Sequence, residues 1–311
     1  MQIHRNIHAL PYFDKAVITI GTFDGVHLGH SQIFQQMQQE AEMICGETVV
    51  ITFHPHPRMV LAKDDIQLLN TLEEKLELLA TQFIDHVVVV PFTLEFSEQS
   101  AENYIKDFIV KLFHPKVIIT GYDHHFGRGR TGNYLLLEKY SEQCDYVVKE
   151  IPEHVMREAA ISSTRIRKAL LSGDITMANE LLGYCYSFEG KVIEGNKIGR
   201  TLGYPTANIT VNDQNKIIPA DGIYLVEVRV NNLQDLYFGM MSIGVRPTIG
   251  TGGRHIEVHL FDFDQNIYDQ SMRIYVKQFL RSEIKFENLD TLKEAIAQDE
   301  KIARELIKNG S

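Results

Sequence analysis

The run Gly21 to His30 reads G-T-F-D-G-V-H-L-G-H. Glycines at 21 and 25 let backbone approach a ligand without a Cβ in the way. A helix opening directly after such a turn aims free N–H groups and a partial positive charge at an anion. His27 and His30 add two side-chain donors at the same place. Together they suit the negative charge that builds on phosphorus during in-line displacement, where positioning and charge stabilisation suffice without a covalent intermediate. A lone histidine near a helix start would read as a cap or a solvated side chain. H-x-G-H inside a glycine turn reads as a phosphate-transfer site.

A second constellation lies in the other half. Gly195 to Asn208 reads G-N-K-I-G-R-T-L-G-Y-P-T-A-N. The Thr206 hydroxyl and the Asn208 carbonyl, two residues apart on a turn pre-set by Pro205, can share one hard cation. Mg²⁺ accepts such oxygens together with substrate phosphates and water. An ordinary Gly/Pro turn entering a strand is the competing reading, and Glu257, in I-E-V-H-L, could equally be an exposed acid on a strand. No G-x-x-x-x-G-K-[S/T] occurs, so kinase chemistry here is not of the P-loop type.

Other motifs point elsewhere. Gly127 to Gly132, G-R-G-R-T-G, is a literal G-x-G-x-x-G. A dinucleotide fingerprint starts at the end of the first strand and opens a helix. Here a segment carrying Asp123, His124 and His125 separates it from the strand before it, so a Gly/Arg loop fits better than a nicotinamide site. His54, His56, His124 and His125 lack zinc-ligand spacing, and no cysteine stands near them.

The elements that must carry these residues follow from periodicity. In the first half, strands are expected at Ala16–Ile20, Thr48–Phe53, His86–Val90, Val117–Thr120 and Asp145–Val148. Helical spacing covers Ser31–Ile44, Leu72–Phe83 and Ser100–Phe113. This alternation predicts β-α-β units, a doubly wound parallel sheet with ligands at the carboxyl ends of its strands. From Tyr184 the pattern changes. Tyr186–Ile193, Tyr224–Val230, Leu236–Ile243, Ile256–Phe263 and Met272–Phe279 look like strands, and Leu289–Ile307 like a long helix. A small antiparallel barrel with a C-terminal helix is expected, and the domains divide into 1–183 and 184–311.

Composition narrows the class. At 311 residues, 44% hydrophobic and 23% charged, the chain suits about two globular domains. A net charge of −10 without a dense Lys/Arg tract disfavours nucleic acid as partner. No apolar run of membrane-spanning length appears, and the first residues do not read as a secretory signal. Three scattered cysteines, Cys45, Cys144 and Cys185, fit a reducing cytoplasm.

The full motif set narrows the function. Thr52–Pro57 (T-F-H-P-H-P), Gly121–Gly132 (G-Y-D-H-H-F-G-R-G-R-T-G) and Ile161–Arg167 (I-S-S-T-R-I-R) follow the histidine turn. In this order they resemble the adenylyltransferase module of the bacterial bifunctional riboflavin kinase/FAD synthetase family. P-T-A-N, Gly244–Thr248 (G-V-R-P-T) and Ile256–Leu260 resemble that family's riboflavin kinase module, and the likeness spans almost the whole chain. It implies a Rossmann-like α/β nucleotidylyltransferase domain, then a small antiparallel β-barrel riboflavin kinase domain. It also implies phosphorylation of riboflavin to FMN, then adenylylation of FMN by ATP to FAD with release of pyrophosphate.

By that resemblance His27, His30 and Glu257 are catalytic, Glu257 as base. Gly21, Phe23, Asp24, Gly25, Asp123, Ser162, Ser163, Thr164 and Arg167 would hold the ATP of adenylyl transfer. Phe53, Pro55, His56 and Pro57 would wall the flavin. Gly199, Arg200, Gly203, Pro205, Arg246 and Arg281 would serve ATP and flavin in the kinase, with Thr206 and Asn208 as Mg²⁺ ligands. The implied partners are riboflavin, FMN and ATP, with no membrane; the oligomeric state, monomer or weak oligomer, is left open. Two positions depart from the family pattern: His54, often Asp, and Asp269 after Tyr268, usually Gly.

Overall fold

The computed structural model describes residues 1–61, 66–121, 124–151, 162–195, 199, 202–231, 233–245 and 254–310. It forms two compact units, Met1–Ser163 and Thr164–Ser311.

In the first unit the β-branched runs become β1 (Gln2–His4), β2 (Val17–Ile20), β3 (Thr48–His54), β4 (His86–Pro91), β5 (Val117–Gly121) and β6 (Val147–Ile151). All pair in parallel, in the order β1-β4-β3-β2-β5-β6. Successive strand residues face opposite sides, and the cores sort accordingly. Ile18, Ile51 and Val88 join one cluster with Ile105 and Phe108; Val17, Val50 and Val87 join another with Phe34, Met37 and Leu79. The doubly wound expectation holds. β1 was not expected: three residues at an edge are too short to show alternation. β6 starts later than the expected Asp145 because Asp145 takes a left-handed φ of 54° and closes the preceding helix.

Helices α1 (Leu28–Ile44) and α2 (Leu72–Ala80) cover one face, and α3 (Tyr134–Cys144) packs on the other through Leu137 and Tyr140. α1 opens at Leu28, ahead of the expected Ser31, so His27 is its N-cap and His30 sits in its first turn. α2 starts on a reciprocal cap: the Thr71 hydroxyl accepts from the Glu74 N–H, and the Glu74 carboxylate accepts from the Thr71 N–H. The expected helix Ser100–Phe113 is interrupted by a π-helix, Tyr104–Val110. Its wider i→i+5 turn puts Tyr104 and Ile109, with Ile105 and Phe108, on the core side.

The second unit begins with α4 (Ser163–Ser172, apart from Ser163 itself) and α5 (Ile175–Leu182). Then come β7 (Ser187–Ile193), β8 (Ala207–Thr210), β9 (Gly222–Val230), β10 (Leu236–Val245), β11 (Arg254–Leu260) and β12 (Ser271–Arg281). They close an antiparallel barrel in the order β10-β11-β8-β7-β12-β9. α6 (Leu289–Lys308), capped by Asn288, buries Ala303 against Leu225, Met240 and Phe261. β8 escaped the sequence reading because its four residues follow a Gly/Pro turn and only Ile209 is fully buried.

The units divide earlier in the chain than the expected junction at 183/184. α4 and α5 go with the barrel for a physical reason. Leu170 accepts the Ala220 N–H at 2.9 Å, Asn179 Nδ2 donates to the Val276 carbonyl at 3.0 Å, and Asn179 Oδ1 accepts the Tyr186 N–H at 2.7 Å.

Candidate functional site

In the first unit the Gly21–His30 turn runs from the carboxyl end of β2 to α1. It is held open in an uncommon shape: Phe23 (φ 47°), Gly25 (φ 89°) and Val26 (φ 36°) all have positive φ. Such backbone persists only where neighbours over-determine it. The neighbours are explicit. The buried Asp24 carboxylate accepts N–H bonds from Leu69 (3.1 and 3.3 Å) and Asn70 (3.3 Å). Lys75 Nζ donates to the Thr22 carbonyl at 2.9 Å, and Ser163 Oγ donates to the Asp24 carbonyl at 2.8 Å.

On this frame the imidazoles of His27 and His30 stack, with ring centroids 3.7 Å apart and planes 15° off parallel. Phe23 stands edge-on to His30 at 5.2 Å and packs on Phe34. The first turn of α1 carries no acidic residue, so the positive end of the helix is left to an external anion. Burial, then the neighbouring His27 and Lys75, hold the His30 imidazole well below its ordinary pKa of 6.5. A neutral imidazole still donates through one ring N–H. The arrangement is a donor pair at a helix start, suited to stabilise charge on a phosphate.

The structure sorts the other expected residues of this half. Ser162 and Ser163 stand at the start of α4, which also carries Thr164 and Arg167. The Asp24 carboxylate accepts the N–H groups of Leu69 and Asn70 and so shapes the loop. Phe53 is 8% exposed and packs edge-on to Phe92 at 5.5 Å. Pro55, His56 and Pro57 remain accessible just beyond it, after a cis His54–Pro55 peptide. Asp123 lies outside the described residues. The G-R-G-R-T-G segment folds back through paired bonds between Phe126 and Gly132 (3.1 and 2.9 Å), and helix α3 starts only at Tyr134. It has no dinucleotide-binding geometry. Among the described residues no group of His, Cys, Asp and Glu side chains gathers to hold a metal.

In the barrel, β8 and β11 pair with Asn208 directly opposite Glu257 and Ile209 opposite Ile256. Strand alternation sends the isoleucines into the core and Asn208 and Glu257 to the other face. Thr206, one step before β8, closes the group: its hydroxyl donates to Glu257 Oε2 at 3.1 Å. A hydroxyl whose proton is held by a carboxylate keeps its oxygen lone pairs for a cation. Thr206 and Asn208 therefore offer hard oxygens that fit Mg²⁺. Beside them a pocket of about 490 Å³ is lined by Val192, Thr206, Val258, Leu260, Ile267 and Tyr268, among others. Gly195 abuts the Asn208 amide, and a Cβ on it would meet Nδ2 at 2.0 Å. Gly195→Ala is thus expected to displace the Asn208 side chain and lower FMN formation, with thermal unfolding almost unchanged; steady-state kinetics and a melting curve check this.

Gly199 stays close to this group through the Tyr204 N–H, which donates to its carbonyl at 2.8 Å; Gly203 and Pro205 are exposed. Arg200 and Arg246 lie outside the described residues. Arg281 forms a two-pronged ion pair with the buried Asp299 of α6 (2.9 and 2.7 Å), which fastens the helix to the barrel. Asp269 holds a left-handed φ of 63°, a conformation that glycine takes without strain and aspartate tolerates.

A family model described as FAD synthetase matches residues 11–165, and one described as riboflavin kinase matches 182–307. Over 306 residues the chain is 37% identical to the bifunctional riboflavin kinase/FMN adenylyltransferase of Haemophilus influenzae, covering 98% of both chains. The chain belongs to this family. Its bifunctional relative from Escherichia coli K12 is 36% identical, with 98% of this chain and 97% of that protein covered. A crystal structure described as a macrolide-efflux protein from Streptococcus pneumoniae shares the fold at a TM-score of 0.86 and 30% identity, over 97% of this chain and 98% of that one. Among the described residues no helix is long and apolar enough to cross a membrane.

Two features of this bifunctional-family chain escaped the sequence reading. Lys75 reads as one more polar residue in an amphipathic helix, but it is buried under the histidine turn. Glu283 lies against Gly244 and near Ser242, the cross-strand partner of Glu257. Burial and then Asp221 raise its carboxyl pKa, and Glu257 adds to the rise. Neither residue carries a signal in local spacing, because both are brought in by elements distant in the chain.

Proposed function

We propose that this chain makes FMN from riboflavin in its barrel and FAD from FMN in its α/β half, using ATP in each step. The observation that carries the reading is the coexistence of both reactive groups, the stacked His27/His30 pair and the Thr206–Asn208–Glu257 cluster, in one chain related end to end to the bifunctional enzymes.

In the kinase step Glu257 takes the proton of the ribityl 5′-hydroxyl as that oxygen attacks the γ-phosphorus. The bond from phosphorus to the β,γ-bridging oxygen breaks, and ADP leaves. Thr206 and Asn208 would hold Mg²⁺, which, when bound, neutralises charge on the phosphates. The pocket beside Thr206 suits the nucleotide. Gly199, Gly203 and Pro205 shape the approach to it.

In the adenylyl step the FMN phosphate, already anionic, attacks the α-phosphorus of ATP and pyrophosphate departs. No general base is required. His27, His30 and the start of α1 stabilise the charge that develops, with Gly21, Phe23 and Gly25 shaping the turn. By the family likeness the I-S-S-T-R-I-R motif gives Ser162, Ser163, Thr164 and Arg167 to phosphate, and the T-F-H-P-H-P segment gives Phe53, Pro55, His56 and Pro57 to the flavin. We place the functional boundary at 183/184, next to where the riboflavin kinase match begins. Free thiols at Cys45, Cys144 and Cys185 suit a cytoplasmic setting.

Purified protein incubated with riboflavin, ATP and Mg²⁺ should yield FMN first and FAD second on chromatography. Excess chelator should stop FMN formation. Neither flavin product appearing would reject the reading.

A further inference from the structure

We propose that Lys75 is a positioning residue for adenylyl transfer: from α2 its ammonium ties the Thr22 carbonyl of the histidine turn to the Thr52 hydroxyl of β3, and so sets where His27 and His30 stand. The inference rests on the adenylyl-transfer reading above.

Lys75 is 6% exposed. Its Nζ lies 2.9 Å from the Thr22 carbonyl and 3.4 Å from the Thr52 hydroxyl. Thr52 Oγ1 in turn donates to the same Thr22 carbonyl at 3.2 Å. Two strand ends and a helix therefore meet on one carbonyl oxygen. That carbonyl lies in the turn that leads into the cap of α1, and the residues after it carry the positive φ values already described. Thr52 directly precedes the Phe53–Pro57 segment assigned to the flavin, so one ammonium touches the supports of both substrates.

Docking α2 does not require this cation. Asp24 already accepts the N–H groups of Leu69 and Asn70, the Thr71–Glu74 cap fixes the helix start, and Leu76 and Leu79 sit in the core. Burying an ammonium against neutral oxygens is unfavourable. Desolvation pulls the Lys75 pKa down to about 8, with Asp24 opposing the shift. The charged group facing it is Asp24 from the turn, and the titratable neighbour is the neutral His30 imidazole from α1. Asp24 and Glu74 both accept backbone N–H bonds, at Leu69 and Thr71. A cation holding the turn in place acts on the charge that develops on phosphorus during transfer and not on ground-state binding, and this rewards its retention at so unfavourable a place.

As pH rises through about 8 the ammonium loses its proton, and adenylyl transfer should fall while FMN formation does not share that limb. The test measures kcat, KM and the pH profile of FAD formation from FMN and ATP, for the full chain and for Lys75→Met and Lys75→Arg. FMN formation is followed in the same preparations. Lys75→Met is expected to lose about 10²-fold in kcat, the scale of a small misplacement of reacting groups. KM for FMN and ATP should stay near the wild-type values, and the limb near 8 should vanish. Lys75→Arg keeps a cation that does not titrate in this range. It should recover most of kcat and move the falling limb upward.

A Lys75→Met enzyme with wild-type kcat would overturn the proposal. So would a wild-type profile of FAD formation without the alkaline limb, a measurement that needs no variant and stands even if Lys75→Met fails to fold. Wild-type protein that makes FMN but no FAD would overturn the adenylyl-transfer reading itself, and this inference with it.

Discussion

Replacing His30 by alanine is expected to lower FAD formation by about 10²–10³-fold, the scale for losing one preorganised donor at developing negative charge. FMN formation by the same chain should stay near the wild-type rate. The imidazole stacks on His27 at 3.7 Å and meets Phe23 edge-on at 5.2 Å, so its loss also removes a ring that packs on His27. The effect should appear mainly in kcat, because the donor matters most when charge develops on the phosphate. Separate assays of riboflavin phosphorylation and FMN adenylylation on one preparation check this. Equal loss of both products would show that the two chemistries do not use separate sites.

The complementary result is expected for Glu257→Gln. FMN formation should drop by about 10²–10⁴-fold, the usual contribution of a general base, and FAD formation from added FMN should persist. Gln is chosen because its side-chain carbonyl can still accept the Thr206 hydroxyl, now 3.1 Å from Glu257 Oε2. The Asn208 pairing across β8 and β11 is backbone-borne and does not depend on the carboxylate. A barrel that melts at the wild-type temperature but no longer phosphorylates riboflavin would identify proton removal, not packing, as what was lost. Wild-type phosphorylation by Glu257→Gln would remove Glu257 from the role of base.

Much of the site was readable along the chain because its parts are local. G-T-F-D-G-V-H-L-G-H holds turn, cap and first helical turn within one continuous run, so its local geometry is legible from spacing. P-T-A-N is equally compact, with Thr206 and Asn208 two residues apart. The residues whose surroundings are not legible along the chain are those whose contacts come from distant partners. Arg281 reads either as a family position near flavin or nucleotide or as one half of an ion pair, and Asp299 on α6 closes on it. Phe53 reads as a pocket wall, yet Phe92 and Phe96 enclose it. Asp24 reads as a ligand to nucleotide, yet Leu69 and Asn70 present their N–H groups to it from the approach to α2.

Periodicity behaved the same way. Strands with several β-branched residues and helices with long apolar stripes were legible, since burial on one face imposes its own repeat. β1 and β8 were not, because three or four residues cannot display a period. The π-helix at Tyr104–Val110 was hidden as well: its apolar residues are compatible with an ordinary helix, and only packing against the sheet selects the wider turn.

Sequence by itself determined the class of fold in each half and the local form of the histidine turn and the Thr-x-Asn pair, because each is written in neighbours along the chain; Glu257 entered only through the family resemblance. Tertiary structure decided which polar groups face substrate and which are consumed in holding the frame. That choice depends on contacts between elements far apart in sequence: Lys75 reaching Thr22, Asn208 lying opposite Glu257, and Asp299 capturing Arg281. A buried charge or hydrogen bond is satisfied by whatever the fold brings beside it, and no local pattern records that partner.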